Sequence, residues 1–178
     1  MMKKPDPTLI NAHIRAIEPK DFVFIRSLAA EFPTFTVPSE YILWFFIRFH
    51  PDFCQVLEQV SGDLKAYLLA MPTSDPQNGI AIWQVAAVQP NRAFALEYFT
   101  AHLCDLVERT GATSISFTIQ QESAASLRLI RSLAKQFFDS EVVQLNSVPT
   151  GQGEHEFQLS IGAASSGREN RKEIDGAG

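Results

Sequence analysis

The 178-residue chain is 46% hydrophobic and 11% aromatic, which is enough apolar material for one sizeable core and, we expect, one domain. Fifteen basic residues against twenty acidic ones give a net charge of -5, so the composition offers no general attraction for nucleic acid or an anionic membrane surface. No stretch approaches the roughly 18 to 20 uncharged apolar residues of a membrane span, and the start MMKKPDPTLI lacks the apolar stretch of a secretory signal, so we expect a cytoplasmic protein.

The N-terminal part of the chain predicts one strand and two helices. HIRAIE (13–18) has the pattern of a strand, and Pro19 then begins a helix whose apolar residues recur at helical spacing. PTFTVP (33–38) interrupts this pattern. Ser39 precedes the very apolar run EYILWFFIRF, and serine favours a helix start because its hydroxyl accepts from backbone N–H groups there. The sequence therefore predicts a second helix that ends near His50.

A three-stranded meander is predicted next. FCQVLEQV and LKAYLLAM are β-rich runs on either side of the turn Ser61-Gly62-Asp63, which is the pattern of a hairpin. A loop of proline, serine, aspartate, asparagine and glycine (72–79) leads to IAIWQVAAV, the third strand.

After the meander the pattern changes to helix, strand, helix, strand, strand. Apolar residues at helical spacing predict a third helix that opens near Asn91 and a fourth after residue 123, with TSISFTI (113–119) as the strand between them. EVVQLN and EFQLSI close the sheet. From Gly162 the residues are small or charged and cannot bury apolar area, so we expect a folded domain of residues 1–161 and a disordered tail of residues 162–178.

The two cysteines, Cys54 and Cys104, lie in unrelated apolar contexts. Their spacing does not match a metal site, so they are predicted to be reduced core thiols, and no metal is expected.

This order of elements, with IWQVAAV following an aromatic second helix, resembles the GNAT acyltransferase family, and within it the diaminobutyrate acetyltransferases of ectoine synthesis. The segments that carry the resemblance are FPTFTVPSEYILWFFIRFH (32–50), IAIWQVAAVQP (80–90), SAAS (123–126) and HEFQLSI (155–161). The resemblance implies an α/β (α+β) fold: a mixed, largely antiparallel central sheet flanked by about four helices, with a splayed central strand.

The resemblance also implies acetyl-CoA as co-substrate. A splayed strand leaves backbone N–H and C=O groups that can pair with the amides of pantetheine, and the next helix start offers free N–H groups and the positive end of its dipole to the pyrophosphate. WQVAAV by itself fits an ordinary buried strand equally well. The candidate cofactor-binding residues are Val85, Ala86, Ala87, Arg92, Ala93, Phe94, Ala95, Glu97, Ser123 and Ser126.

The expected phosphate loop departs from the family pattern, which runs Arg or Gln, two residues, Gly, one residue, then Gly or Ala. Arg92 matches the first position, but Ala95 replaces the first glycine, and Glu97 replaces the last small residue and adds negative charge. Since only glycine lets the backbone approach phosphate so closely, weaker binding is expected. Ser123 stands where the family often has asparagine, and its hydroxyl can make one hydrogen bond.

The acceptor side is assigned to the candidate catalytic residues Glu40, Tyr41, Gln84, His155 and Glu156. The ectoine enzymes are expected to hold their diamine with an acidic residue before the second helix, but the aligned residue here is the neutral Thr36. Glu40 and Tyr41 are the replacements nearby, although Tyr41 also fits a core residue with a satisfied hydroxyl. The HE pair at 155 and 156 matches a late HE pair of the family and also fits a solvated strand end.

The implied reaction is direct transfer of an acetyl group, in a ternary complex, to a primary amine of a small molecule such as an amino acid or a diamine. A backbone N–H near Ala86 or Ala87 is expected to stabilise the oxyanion. Residues 121–138 contain no tyrosine that could protonate the leaving thiolate, and the general base is unassigned. The alternative is a GNAT-fold binding or regulatory module with weak or no turnover, which the glycine-free loop favours. A homodimer is compatible with the resemblance.

Overall fold

The computed structural model describes residues 11–33, 35–73, 78–89, 92–120, 124–147 and 154–161. Its strands are β1 (Ala12–Ala16), β2 (Cys54–Gln59), β3 (Leu64–Thr73), β4 (Gly79–Ala87), β5 (Ser114–Gln120), β6 (Val142–Ser147) and β7 (Glu154–Ser160). Its helices are α1 (Phe22–Ala30), α2 (Glu40–Phe49), α3 (Arg92–Thr110) and α4 (Ala124–Phe138), with 3-10 turns at Pro19–Asp21 and Pro51–Phe53.

The seven described strands form one sheet in the order β1-β2-β3-β4-β5-β7-β6. Every described pairing is antiparallel except that of β4 with β5, which is parallel. The prediction of a mixed, largely antiparallel sheet with four helices is therefore confirmed. Gly62 has a φ of +88°, a backbone conformation that glycine adopts without strain, which explains how the turn between β2 and β3 closes.

Both faces of the sheet carry a hydrophobic core. Successive side chains of a strand point to opposite faces, and β3 shows this directly. Leu68 packs in the core under α3 and α4, whose Phe99 is buried there. Tyr67 and Leu69 pack in the opposite core, against α1 and α2. The sheet is thus the middle of three layers.

The predicted start of α2 is confirmed, whereas Pro19 begins a 3-10 turn and α1 itself begins at Phe22. Ser39 caps α2, because its Oγ accepts from the Ile42 N–H at 3.2 Å. Ile25 and Leu28 of α1 are buried, as their helical spacing predicts. The α2 run is apolar on every side, but a helix on the surface buries only one stripe. Its aromatic residues Tyr41, Trp44, Phe45 and Phe49 consequently remain exposed.

The two cysteines differ in their surroundings. Cys54 is buried and free, and its thiol donates to the Ala70 carbonyl at 3.5 Å. Burial raises the pKa of Cys54 to about 12. Cys104 is half-buried on α3, so only Cys54 fits the predicted core thiol completely.

No described helix combines the length and apolar character that a membrane crossing requires. The predicted tail of residues 162–178 lies outside the described residues.

A partly buried ion pair joins the first strand to the turn that follows it. The Arg15 guanidinium donates to both carboxylate oxygens of Asp21, at 2.7 and 2.9 Å, and also to Glu58 on β2. Asp21 additionally accepts from the Glu18 N–H at 2.8 Å. Burial opposes ionisation of Asp21, but the hydrogen bonds from Arg15 and Glu18 outweigh it, so the pKa of Asp21 lies below its ordinary value.

Candidate functional site

A gap opens between the two parallel strands of the sheet. In the described residues, pairing of β4 with β5 begins at Gly79 and Ser114 and ends at Ile82 and Phe117. β4 nevertheless continues to Ala87 and β5 to Gln120. The two strands therefore diverge beyond Ile82, which confirms the predicted splay.

A β-bulge lies where the strands begin to diverge. Leu69 pairs with Gln84 and Ala70 with Ile82, so Trp83 is the extra residue on β4. A bulge bends its strand and increases the local twist, which gives a physical cause for the separation from β5. The Trp83 ring stacks on Phe46 of α2 at 5.4 Å between centroids, so α2 packs directly over the bulge.

The hydrogen-bond alternation of β4 shows which backbone groups face the gap. The Val88 N–H donates to the Lys65 carbonyl at 2.9 Å. Since hydrogen-bonded pairs alternate along an antiparallel ladder, Ala86 bonds in turn to its partner Tyr67 on β3. Val85 and Ala87 then direct their N–H and C=O groups away from β3, into the gap. Of the three residues expected to contact pantetheine, these two direct their backbone groups to that side.

The start of α3 lies just beyond the gap and carries the predicted phosphate residues. Arg92 is exposed, and its guanidinium carbon lies 4.7 Å from the centroid of the Phe32 ring. Ala95 is fully buried in the core under α3, so its methyl group packs inward. Ala93 is exposed, and Phe94 is half-buried with its ring 4.7 Å from that of Tyr98.

Charge at this helix start is carried by Arg92 and Glu97. Within the described part of the chain, Arg92 forms no ion pair with a carboxylate. Glu97 is half-buried and follows five residues later, which places it about 140° around the helix axis from Arg92. The arginine charge is therefore available to an anion that approaches the helix start.

Gln84 joins the bulged strand to the loop before α2. Its side chain is buried, its Oε1 accepts from the Tyr67 hydroxyl at 3.1 Å, and its Nε2 donates to the Thr36 carbonyl at 2.8 Å. Burial raises the pKa of Tyr67, so the phenol stays protonated and can donate. The amide thus holds the loop against β4. Thr36 contributes to the site through its backbone carbonyl. The sequence does not indicate this contribution, because it shows only a neutral side chain at this position.

Glu40 and Tyr41 lie on the exposed first turn of α2. Glu40 accepts from Arg26 at 3.2 Å, and the Tyr41 ring stacks on Trp44 at 6.4 Å between centroids. Tyr41 is 70% exposed, so the alternative that it is a core residue is wrong.

The HE pair lies on β7, where β7 runs beside the diverging part of β5. Glu156 pairs with Thr118 and His155 with Ile119. Phe157 is buried under α3 and α4, so strand alternation places Glu156 on the opposite face of the sheet, the face that also carries Gln84. The structure does not describe the side chains of His155 and of Ser126 in α4, and Ser123 lies outside the described residues.

The sequence does not indicate the roles of two residues in this region. Trp83 lies within the run WQVAAV, and its role as the bulge depends on the register with β3, which is not a local property of the sequence. Tyr67 lies in an alternating strand, and nothing in that pattern indicates that its hydroxyl bonds to Gln84.

No protein-family model and no curated protein matches the sequence. The fold is similar to solved structures. One is the diaminobutyrate acetyltransferase of Paenibacillus lautus, solved with L-2,4-diaminobutyric acid and coenzyme A, at 19% identity and a TM-score of 0.66 over 84% of this chain and 95% of that chain. Another is the ribosomal-protein-S18-alanine N-acetyltransferase of Escherichia coli, at 16% identity and a TM-score of 0.63 over 88% of this chain and 97% of that chain.

A third similar structure is a GNAT-family acetyltransferase of Bacillus anthracis, at 14% identity and a TM-score of 0.61, covering 85% of this chain and 95% of that chain. The likeness to the diaminobutyrate enzyme is comparable to the likeness to the ribosomal-protein enzyme, so it does not single out the ectoine branch. At these identities the likeness concerns the fold. With a mixed sheet of seven strands, four helices and a splayed β4 among its described residues, the chain has the fold of the GNAT acetyltransferases.

Proposed function

We propose that this chain is an N-acetyltransferase that moves an acetyl group from acetyl-CoA to a primary amine of a small molecule. The observation that carries the proposal is the gap between β4 and β5, with the backbone groups of Val85 and Ala87 directed into it and the start of α3 at its open end. An extended chain of amides needs such backbone partners, and a pyrophosphate needs such a helix start.

The residues present fit coenzyme A. Val85 and Ala87 would pair with the pantetheine amides as a neighbouring strand would. The first N–H groups of α3 and the unpaired charge of Arg92 would hold the pyrophosphate. The inward packing of Ala95 explains how the helix start does without a glycine at this position, because the methyl group occupies the core. When bound, acetyl-CoA supplies a thioester, which is an activated acyl donor.

The residues of this chain then have separate tasks in the transfer. The amine nitrogen bonds to the carbonyl carbon, the carbon–sulfur bond breaks, and the ammonium proton passes to a base. An N–H of Val85 or Ala87 donates to the developing oxyanion. Glu156 is the candidate base, directly or through water. The thiolate can take a proton from water, because a thiol pKa of about 8.5 makes it a fair leaving group.

The carboxylates favour an acceptor that carries a positive charge. Glu40 lies at the α2 start beside its partner Arg26, and Glu156 lies on the same face of the sheet as Gln84, whose amide bonds to the loop before α2. An ammonium group needs negative partners of this kind. The second candidate acceptor is the N-terminal amine of a protein, as in the ribosomal-protein enzyme of similar fold.

Calorimetry and thiol release together test the proposal. Acetyl-CoA should bind with measurable heat, and free thiol should then appear with at least one amine from a panel of amino acids, diamines and a short peptide with a free N-terminus. Turnover with the peptide alone would move the acceptor to a protein N-terminus. Binding of acetyl-CoA without turnover would favour the alternative function, a binding or regulatory module. The absence of glycine from the expected phosphate loop supports that alternative. Absence of binding at millimolar ligand would contradict the proposed enzyme.

A further inference from the structure

An apolar cavity lies between the sheet and the helices α3 and α4. It has a volume of about 70 Å³, and its lining side chains are hydrocarbon or aromatic except for Thr100. The Thr100 hydroxyl already donates to the Leu96 carbonyl at 2.7 Å. A buried water needs two to four polar partners, and this wall leaves almost none, so the cavity is suited to hydrocarbon and not to water.

The cavity begins where the gap between the strands closes. Ile82 and Phe117 are the last pair that joins β4 to β5, and both line the cavity. Val85, which directs its backbone groups into the gap, lines it as well. A thioester held in the gap would therefore have its acyl group next to the cavity mouth, on the side of α3 and α4.

The size of the cavity sets the length of what it can hold. A cavity of about 150 Å³ binds benzene, which has six carbons, so a cavity of about 70 Å³ holds roughly three groups of methylene size. An acetyl methyl group alone would leave most of that space empty. A straight chain with about three carbons beyond the carbonyl would fill it.

We infer that this cavity receives the hydrocarbon end of the acyl group, so that the preferred donor is a short-chain acyl-CoA whose acyl group has about four carbons. The inference rests on the proposed function, because it takes the thioester to lie in the gap. Acetyl-CoA remains a substrate, but of lower affinity. Apolar burial supplies the preference, since each methylene group that leaves water for the cavity strengthens binding by about three- to fourfold.

Three variants of α4 separate chain length from folding. Ala134 is buried and lines the cavity, so Ala134→Leu should fill it and lower the ratio of butanoyl-CoA to acetyl-CoA affinity. Ile130 also lines it, and Ile130→Ala should enlarge it and shift the preferred length towards hexanoyl-CoA. Leu127→Ala is the matched control, because Leu127 packs on the same core from the same helix but does not line the cavity. Its preferred length should not change.

The test is calorimetry of the full chain with free coenzyme A and with acetyl-, butanoyl-, hexanoyl- and decanoyl-CoA, followed by thiol release with the best amine. We expect affinity to rise by about three- to fourfold per methylene up to butanoyl-CoA and to fall for decanoyl-CoA. Equal affinity for acetyl- and butanoyl-CoA, with acetyl transfer intact, would overturn the acyl cavity and leave the proposed function standing. Failure of free coenzyme A and of every thioester to bind would remove the proposed function and this inference together.

Binding of the thioesters to the variants is a second test, and it does not depend on activity. If Ala134→Leu misfolds, the opposite shift in Ile130→Ala still decides the matter by binding alone. Identical chain-length profiles for Ile130→Ala, Leu127→Ala and the unaltered chain would show that the acyl group lies elsewhere.

Discussion

Arg92 presents its charge at the first residue of α3, over the ring of Phe32. We predict that Arg92→Ala weakens acetyl-CoA binding by about 1 to 3 kcal/mol, the range for a hydrogen bond to a charged group. The loss should be much smaller for acetyl-pantetheine, because that ligand has no pyrophosphate. Calorimetry with the two ligands measures both effects. An equal loss for both would show that Arg92 acts on the fold of the helix start and not on the phosphates.

Glu97→Gly provides the opposing change at the same helix. If the Glu97 carboxylate repels the pyrophosphate, its removal should tighten acetyl-CoA binding, although glycine inside a helix costs about 1 kcal/mol of stability. Glu97→Gln separates the two effects, because it removes the charge and keeps the side chain. No gain in affinity from Glu97→Gln would mean that the carboxylate is directed away from the ligand.

Glu156 and Tyr41 test the acceptor side. Glu156→Gln should lower turnover while leaving acetyl-CoA affinity nearly unchanged, because Glu156 lies on the face of the sheet opposite α3 and α4. Tyr41→Phe should do the same if the exposed phenol contacts the amine. Steady-state thiol release and calorimetry measure the two quantities separately. Full activity in both variants would move the acceptor to other residues.

Single residues show where the sequence stops being informative. Ser39 as a cap and Ile25 as a core position follow from short-range pattern, and both are confirmed. The exposure of Tyr41 does not follow from the sequence. Because α2 is apolar on every side, the sequence pattern does not show which side of the helix is buried. Gln84 was a candidate from resemblance, but its bonds to Tyr67 and Thr36 depend on chain segments that are distant in sequence.

The strand β4 offers a matched pair of proline variants. Ala87 directs its N–H into the gap, whereas the ladder geometry uses the N–H of Ala86 to bond to β3. Proline lacks an N–H, so Ala86→Pro should remove a ladder hydrogen bond and lower stability more than Ala87→Pro does. Ala87→Pro should instead weaken acetyl-CoA binding. Thermal melts and calorimetry of both variants measure this, and equal melting temperatures with equal affinities would contradict the assigned register.

At the scale of elements, the sequence predicts the existence of the strands and helices better than their pairing. The hairpin of β2 and β3 was predicted because Gly62 and its neighbours are a local turn signal. The bulge at Trp83 and the length over which β4 pairs with β5 are set by register across the sheet. The splay was expected from family resemblance, since composition and periodicity carry no information on it.

Across the whole molecule, the ion pair of Arg15 and Asp21 makes stability depend on acid. The pKa values of Asp21 and Glu58 are lower in the folded chain than their ordinary values of 3.8 and 4.5, in spite of burial at Asp21. Their contribution is therefore present above about pH 4.5 and is lost as the pH falls through the folded values. The melting temperature should decline on acidification below about pH 4.5.

Asp21→Asn tests the source of that decline. It removes one partner of a partly buried pair and should cost about 1 to 3 kcal/mol at neutral pH, because Arg15 is partly exposed and keeps Glu58. The variant should also lose less stability than the unaltered chain between about pH 4.5 and pH 2. Thermal melts across this range provide the comparison, and parallel curves for the two proteins would assign the acid sensitivity to other carboxylates.

The parallel pairing of β4 with β5 joins two antiparallel units, β1 to β4 and β5 to β7, each continuous in sequence, and it consists of four residue pairs. This short pairing, the seam, joins two units that form locally, so we expect partial unfolding to separate the two units there. Among the amide hydrogens of Ile80–Ile82 and Ile115–Phe117, those that bond between β4 and β5 should then exchange with deuterium sooner than those at the centres of the β2–β3 and β6–β7 pairs. Coenzyme A, if it bonds to both diverging strands, would tie the two units together and slow exchange on both sides of the seam, including at amides that it does not touch.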